Sequence, residues 1–103
     1  MKHVISGATI YDGKQTLSNH CVIVENDLVL DIVTANEVDT TLPNTQLNGG
    51  TIAPGFLDLQ VNGGGGLLFN NAPTPETLLK MLEAHRSKGT CALLPTLVSD
   101  TKD

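Results

Sequence analysis

A chain of 103 residues, 40% hydrophobic and 17% charged, has the length and make-up of one globular domain at most. The net charge of −5, with six basic residues scattered and never in a run, excludes a nucleic-acid surface, which needs clustered Lys and Arg. No apolar run approaches the roughly 20 residues of a bilayer span, and residues 1–7 lack the continuous apolar core of a signal peptide.

Residues 3–10 read as a short strand, followed at Asp12-Gly13 by a strong turn signal. Cys21-Val22-Ile23-Val24-Glu25 is a second strand, rich in β-branched residues. Asn26-Asp27 form a tight turn into Leu28–Val33, so this pair is expected as a hairpin. Residues 34–50 are polar and punctuated by Pro43, Asn44, Asn48, Gly49 and Gly50. They read as loop, with room for a short strand around Gln46-Leu47. Cys21 and Cys91 have no CxxC partner and read as two buried thiols in a reducing cytoplasm, which makes the location cytoplasmic.

After residue 51 the pattern changes. Residues 56–61 form an apolar strand that carries one acid, Asp58, and ends in Gln60, Asn62 and four consecutive glycines, Gly63 to Gly66. Thr74-Pro75-Glu76 opens a helix: Thr74 caps free N–H groups, Pro75 suits the first helical position, and Glu76 favours the positive end of the dipole. Leu78, Met81, Leu82 and His85 fall at i, i+3, i+4 and i+7 and give one buried stripe, which Gly89 ends. Residues 91–98 form a second apolar strand. Strand, helix and strand in this order imply parallel pairing. A parallel sheet needs cover on both faces, so one helix and two strands read as the opening of a larger α/β domain. A complete barrel of this kind takes about 250 residues, and the chain reads as truncated.

Along a strand, residues two apart share a face. Asp58, Gln60 and Asn62 therefore project together where the chain leaves the sheet, which is where parallel α/β proteins place their working groups. Asp58 is either a structural acid satisfied by nearby donors or part of the same site. The glycine run is either a flexible or sharply bent loop or the lining of a ligand site, because its backbone can approach a ligand closely. It is no P-loop, since no Gly-Lys-Ser/Thr follows. The dinucleotide fingerprint is also incomplete, with Leu68 and Phe69 where a third glycine belongs. His3, His20 and His85 lack partners at metal-ligand spacing. His85 is expected to pack its ring in the core and hydrogen-bond a neighbouring backbone group.

At Ala53-Pro54-Gly55-Phe56-Leu57-Asp58-Leu59-Gln60-Val61-Asn62-Gly63 the sequence resembles the amidohydrolase superfamily, whose members carry Pro-Gly-Phe-Ile/Leu-Asp-x-His-x-His at the end of the first barrel strand. Within it the chain is similar to the N-acetylglucosamine-6-phosphate deacetylases, N-terminal portion only. That branch looks like Asp-Leu-Gln-Val-Asn-Gly-Gly-Gly-Gly, then Phe-Asn-Asn, a Thr-Pro-Glu-Thr helix start, and Leu-Leu-Pro-Thr-Leu-Val-Ser-Asp at residues 93–100. The resemblance implies an α/β protein with a small sandwich-type β-domain portion over residues 1–52. Residues 53–103 would then be the first βαβ unit of an incomplete TIM-like (β/α)8 barrel.

The resemblance further implies hydrolysis of N-acetylglucosamine 6-phosphate to acetate and glucosamine 6-phosphate in amino-sugar catabolism, by a protein that is a homodimer at full length. Most of the superfamily has two metal-binding histidines where this chain has Gln60 and Asn62. Carboxamides are poor ligands for Zn²⁺, so the implied cofactor is one divalent metal, Zn²⁺ foremost, held by a Glu and two His of later strands, with a later Asp as general base and acid. None of those groups lies in this chain. It is therefore expected to be inactive alone and to bind no metal, with Gln60, Asn62, Gly63 and Gly64 as its substrate-binding contribution. Two alternatives stay open: another amidohydrolase acting as a cyclic amidase or deaminase, and a non-catalytic fragment that binds a sugar phosphate.

Overall fold

A computed structural model describes residues 1–101, which divide into two compact units, Met1–Pro54 and a second from Gly55 onward. In the first unit the strands are β1 (Lys2–Ser6), β2 (Thr9–Tyr11), β3 (Thr16–Leu17), β4 (His20–Glu25), β5 (Leu28–Thr34), β6 (Asn44–Gln46) and β7 (Thr51–Ile52). They form a four-stranded sheet in the order β5-β4-β1-β6 and a three-stranded sheet in the order β3-β2-β7. Val4, Ser6, Ile10, Cys21 and Val22 are its buried residues.

The single strand expected over residues 3–10 is two strands, one in each sheet. The break falls at Gly7, whose φ of +84° is one that a residue with a Cβ adopts only under strain. A Cβ there would also collide with the Leu47 carbonyl oxygen. The segment 34–50, expected as loop with room for a short strand around Gln46-Leu47, contains β6, which lies slightly earlier at Asn44–Gln46 and pairs in parallel with β1 through Val4↔Asn44, Ile5↔Thr45 and Ser6↔Gln46. All three residues of β6 are exposed and polar, so no apolar alternation marks them. They are held instead by the ladder and by side chains: the Ser6 hydroxyl lies 2.9 Å from Asn44 Oδ1 and 2.7 Å from Gln46 Oε1, and His3 Nε2 lies 2.7 Å from Thr45 Oγ1. The β4–β5 hairpin forms as expected, antiparallel about a turn in which Asn26 takes a φ of +54°.

In the second unit β8 (Phe56–Val61) is followed by two very short strands, β9 (Gly63–Gly64) and β10 (Leu67–Leu68), then α1 (Pro75–Arg86) and β11 (Thr90–Pro95). Strands β8 and β11 are parallel neighbours with the helix between them in sequence. Thr74 caps α1, accepting from the Thr77 N–H at 3.2 Å, and Pro75 stands in the first turn. Met81 is completely buried, and Leu78, Leu82 and His85 of the same stripe are half-buried. Among the described residues this is the only α-helix, so the structure holds one strand–helix–strand unit and no barrel.

The two-stranded sheet leaves much apolar surface uncovered: Phe56 is 66% exposed, Leu57 70% and Leu59 71%, with Leu94, Leu97 and Val98 also open. Cys91 is exposed, which corrects the expectation of two buried thiols. It sits on a strand with a single neighbour, whereas Cys21 is enclosed in a four-stranded sheet and is buried. No described helix is long and apolar enough to cross a membrane.

Three exposed carboxyls of the first unit are held below their ordinary range by local donors. Glu37 accepts from the Thr34 hydroxyl at 2.7 Å and the Thr34 N–H at 3.3 Å, and Asp39 from the Thr41 hydroxyl and from its N–H at 2.9 Å. Asp12 accepts from the Gln15 and Lys14 N–H groups. A carboxyl depressed in the fold favours the folded state above its unfolded pKa, and that contribution is lost as pH falls through the folded value. We therefore expect the first unit to weaken below about pH 4. Carbon-13 titration of these carboxyls should give midpoints below those of free peptides, and midpoints at or above the peptide values would contradict the assignment.

The uncovered leucines and open strand edges of the second unit carry another expectation. The 103-residue chain should self-associate at micromolar concentration in analytical ultracentrifugation, and Leu57→Lys with Leu59→Lys should reduce it. A monodisperse monomer that is indifferent to both changes would refute this.

Candidate functional site

The site expected at the end of β8 is built from three separated segments. Strand alternation puts Asp58, Gln60 and Asn62 on one face. Asp58 Oδ1 accepts from the Gln60 N–H at 3.1 Å, so this acid is engaged by its own strand. The Gln60 side chain is exposed and makes no hydrogen bond to the described residues. Asn62 is half-buried, and its Oδ1 accepts a hydrogen bond from the Thr96 hydroxyl. The Thr96 N–H donates to the Val61 carbonyl at 2.9 Å, which extends the β8–β11 ladder to the point where Asn62 leaves it.

The four glycines make one tight hairpin. Gly63 and Gly64 pair with Leu68 and Leu67, and Gly65 and Gly66 form the two-residue turn with φ of +60° and +79°. Two consecutive left-handed residues are what a two-residue hairpin turn requires, and glycine supplies them without steric strain. Gly63 and Gly64 serve a different end. Their φ values are ordinary, but a Cβ on Gly63 would strike the Leu67 carbonyl oxygen, and one on Gly64 would stand 2.7 Å from His85 Nε2. The sharply bent loop is therefore the conformation present, with half of the run spent on the bend and half on close approach.

Two further residues fix this rim; both lie in the motifs that carry the family resemblance, and neither is among the site residues expected from the sequence. Asn70 donates from Nδ2 to the Val98 carbonyl at 2.7 Å and accepts at Oδ1 from the Val98 N–H at 2.8 Å, so one carboxamide pairs with the backbone after β11 as a strand residue would. Thr96 is the other. The repeated Asn at 70 and 71 and the Thr after Pro95 were the available signals, but only the parallel pairing shows what they meet. His85 donates from Nε2 to the Gly63 carbonyl at 2.8 Å, which is the backbone bond expected of it, here to the glycine run itself.

The arrangement offers two carboxamides at the exit of a parallel strand and a rim of exposed or half-buried glycine backbone. It can donate to and accept from a polar, uncharged group such as an amide or a sugar hydroxyl. No group of three His, Cys, Asp or Glu side chains able to hold an ion occurs among the described residues, Gln60 and Asn62 are carboxamides, and His85 Nε2 is already engaged. A cavity of about 600 Å³ in the first unit is lined in part by Ser6, His20, Asp39 and Gln46.

Comparison with known proteins places the chain beside the amino-sugar-phosphate deacetylases. Residues 4–52 match the family described as the NagA composite domain. The chain is 46% identical over 87 residues to an N-acetylgalactosamine-6-phosphate deacetylase of Shewanella sp. (strain ANA-3), a match covering 82% of this chain and 22% of that protein. It is 31% identical over 99 residues to the N-acetylglucosamine-6-phosphate deacetylase of Haemophilus influenzae, covering 96% of this chain and 26% of that one. A crystal structure of N-acetylglucosamine-6-phosphate deacetylase from Pasteurella multocida superimposes with a TM-score of 0.91 at 32% identity, over 98% of this chain and 27% of the other. The chain thus spans about a quarter of the length of the curated relatives it matches.

Asn70 gives the test of the rim. Asn70→Ala removes both bonds to Val98, each worth about 1 kcal/mol, so the Val98 amide should exchange with deuterium about tenfold faster or more. Asn70→Asp should act in the same direction, since it sets a carboxylate oxygen against the Val98 carbonyl. Unchanged exchange in both variants would show that the pairing does not hold the segment.

Proposed function

We propose, for a chain that corresponds to the N-terminal portion of the N-acetylglucosamine-6-phosphate deacetylases, that the full-length protein hydrolyses the acetamide of an N-acetylhexosamine 6-phosphate. The observation that carries this reading is the strand end itself: Gln60 and Asn62 at the exit of β8, with Asn62 held by Thr96 beside the bent glycine rim. N-acetylglucosamine 6-phosphate is the first substrate proposed. The 46% identity to a relative named for the galactosamine epimer supports that epimer as the second.

In the reaction a water oxygen forms the new bond to the acetyl carbon, the carbon–nitrogen bond breaks, and the amine leaves with a proton, giving acetate and the amino-sugar phosphate. The chain's own residues contribute binding and orientation. Gln60 presents an open carboxamide that can donate to the acetamide oxygen or a ring hydroxyl. Asn62, its Oδ1 occupied by Thr96, presents its Nδ2 as a donor. Gly63 and Gly64 shape the rim without side chains. A barrel completed by further strands and helices, a divalent metal with Zn²⁺ foremost, a cytoplasmic homodimer, and a catalytic acid supplied by a later strand are proposed from the family resemblance. No step is assigned to a metal held by residues of this chain, because the donors present do not suit one.

The test is acetate release by the full-length protein from the gluco and galacto 6-phosphates. Gln60→Ala and Asn62→Ala should each lower kcat/KM by about tenfold to a hundredfold, and the 103-residue chain alone should show no turnover. A folded, metal-supplied protein inactive on both sugars would overturn the reading.

A further inference from the structure

The geometry points to His85 of α1 as a positioning residue for the strand-end site, one that sets the direction of Asn62 and the glycine rim by holding the Gly63 carbonyl. This rests on the deacetylase reading for its consequence, though not for its geometry. In an antiparallel hairpin, residues alternate between pairs that exchange hydrogen bonds and pairs that do not. The Phe69 N–H donates to the Asn62 carbonyl at 2.7 Å, and the two-residue turn places the next exchanging pair at Gly64 and Leu67. Gly63 and Leu68 form the pair between, so the Gly63 carbonyl is turned away from β10. It would lack a partner in the hairpin, and His85 Nε2 meets it at 2.8 Å, 22 positions along the chain.

The contact is built from both sides. His85 lies half-buried on the stripe of α1, one turn from the fully buried Met81. Gly64 stands where any Cβ would come within 2.7 Å of Nε2. Two successive residues are thereby held: Thr96 engages the Asn62 side chain and His85 the Gly63 carbonyl. A carboxamide that orients an acetamide must be placed to within about 0.5 Å, and a clamp on the next residue supplies that placement. His85 touches no substrate in this assignment and acts only through Gly63.

Side-chain geometry gives a discriminating test. A Gln Nε2 sits as many bonds from Cβ as a His Nε2, and an Asn Nδ2 matches the His Nδ1 position and falls short. In the full-length enzyme, His85→Gln should retain kcat/KM to within about threefold, whereas His85→Asn and His85→Phe should lower it about tenfold or more, mainly through KM. Gly64→Ala should lower it similarly, and combined with His85→Phe should add little, since both break one contact.

Two results would overturn the assignment: His85→Phe with wild-type kcat/KM, or Gln and Asn variants that lose activity equally. Amide exchange at Phe69 tests the clamp apart from catalysis. It should speed up in His85→Asn and Gly64→Ala but not in His85→Gln, and equal exchange in all of them would overturn the proposal even in an active enzyme. Should the wild type release no acetate, the deacetylase reading fails, while the exchange series still decides the clamp.

Discussion

Parallel strand pairing is the constraint on which both units depend. Two parallel strands cannot be joined by a turn, so a crossover must carry the chain back before the second strand begins. In the second unit the crossover is α1, and its consequence is that β8 and β11 end on the same side. Asn62 and Thr96, 34 positions apart, become neighbours only for that reason. In the first unit β1 pairs with β6 and β2 with β7, again in parallel. Two segments thus run side by side and change sheet together, with Gly7 at the break in one and Gly49-Gly50 at the break in the other.

The same constraint accounts for the apolar surface of the second unit. Parallel sheets are stable when both faces are covered, and their strands are apolar on both sides accordingly. Strand β8 has that composition, yet it has one strand neighbour and one helix, so Phe56, Leu57 and Leu59 remain open. Its sequence is suited to more surroundings than the described residues provide.

What was legible in the sequence was local. The Asn26-Asp27 turn, the Thr74 cap with Pro75 after it, and the stripe through Met81 each carry their signal within a few residues, and each element formed. Strand β6 is only hinted at, by room for a short strand around Gln46-Leu47, because Asn44, Thr45 and Gln46 are exposed and are held by a ladder to residues some 40 positions away. Cys91 differs for a related reason: the lack of a CxxC partner points to a buried thiol, but burial requires a covering layer that the two-stranded sheet lacks. At the site, Gln60 and Asn62 could be named from alternation alone. Asn70 and Thr96 could not, since their partners are set by the end-to-end alignment of β8 and β11.

The glycine run shows why a structural and a functional reading of one motif need not compete. Gly65 and Gly66 are required by the left-handed turn, and Gly63 and Gly64 by the close approach of Leu67 and His85. Each requirement is structural, and together they account for all four residues without a ligand. Yet their joint result is a short, side-chain-free rim, bent back on itself and fixed to a helix and a strand end, directly beside two carboxamides. A flexible loop of the same composition would lose conformational entropy on ordering around a substrate. A loop already folded by its own backbone constraints does not, and that prior ordering is what suits this segment to a binding site.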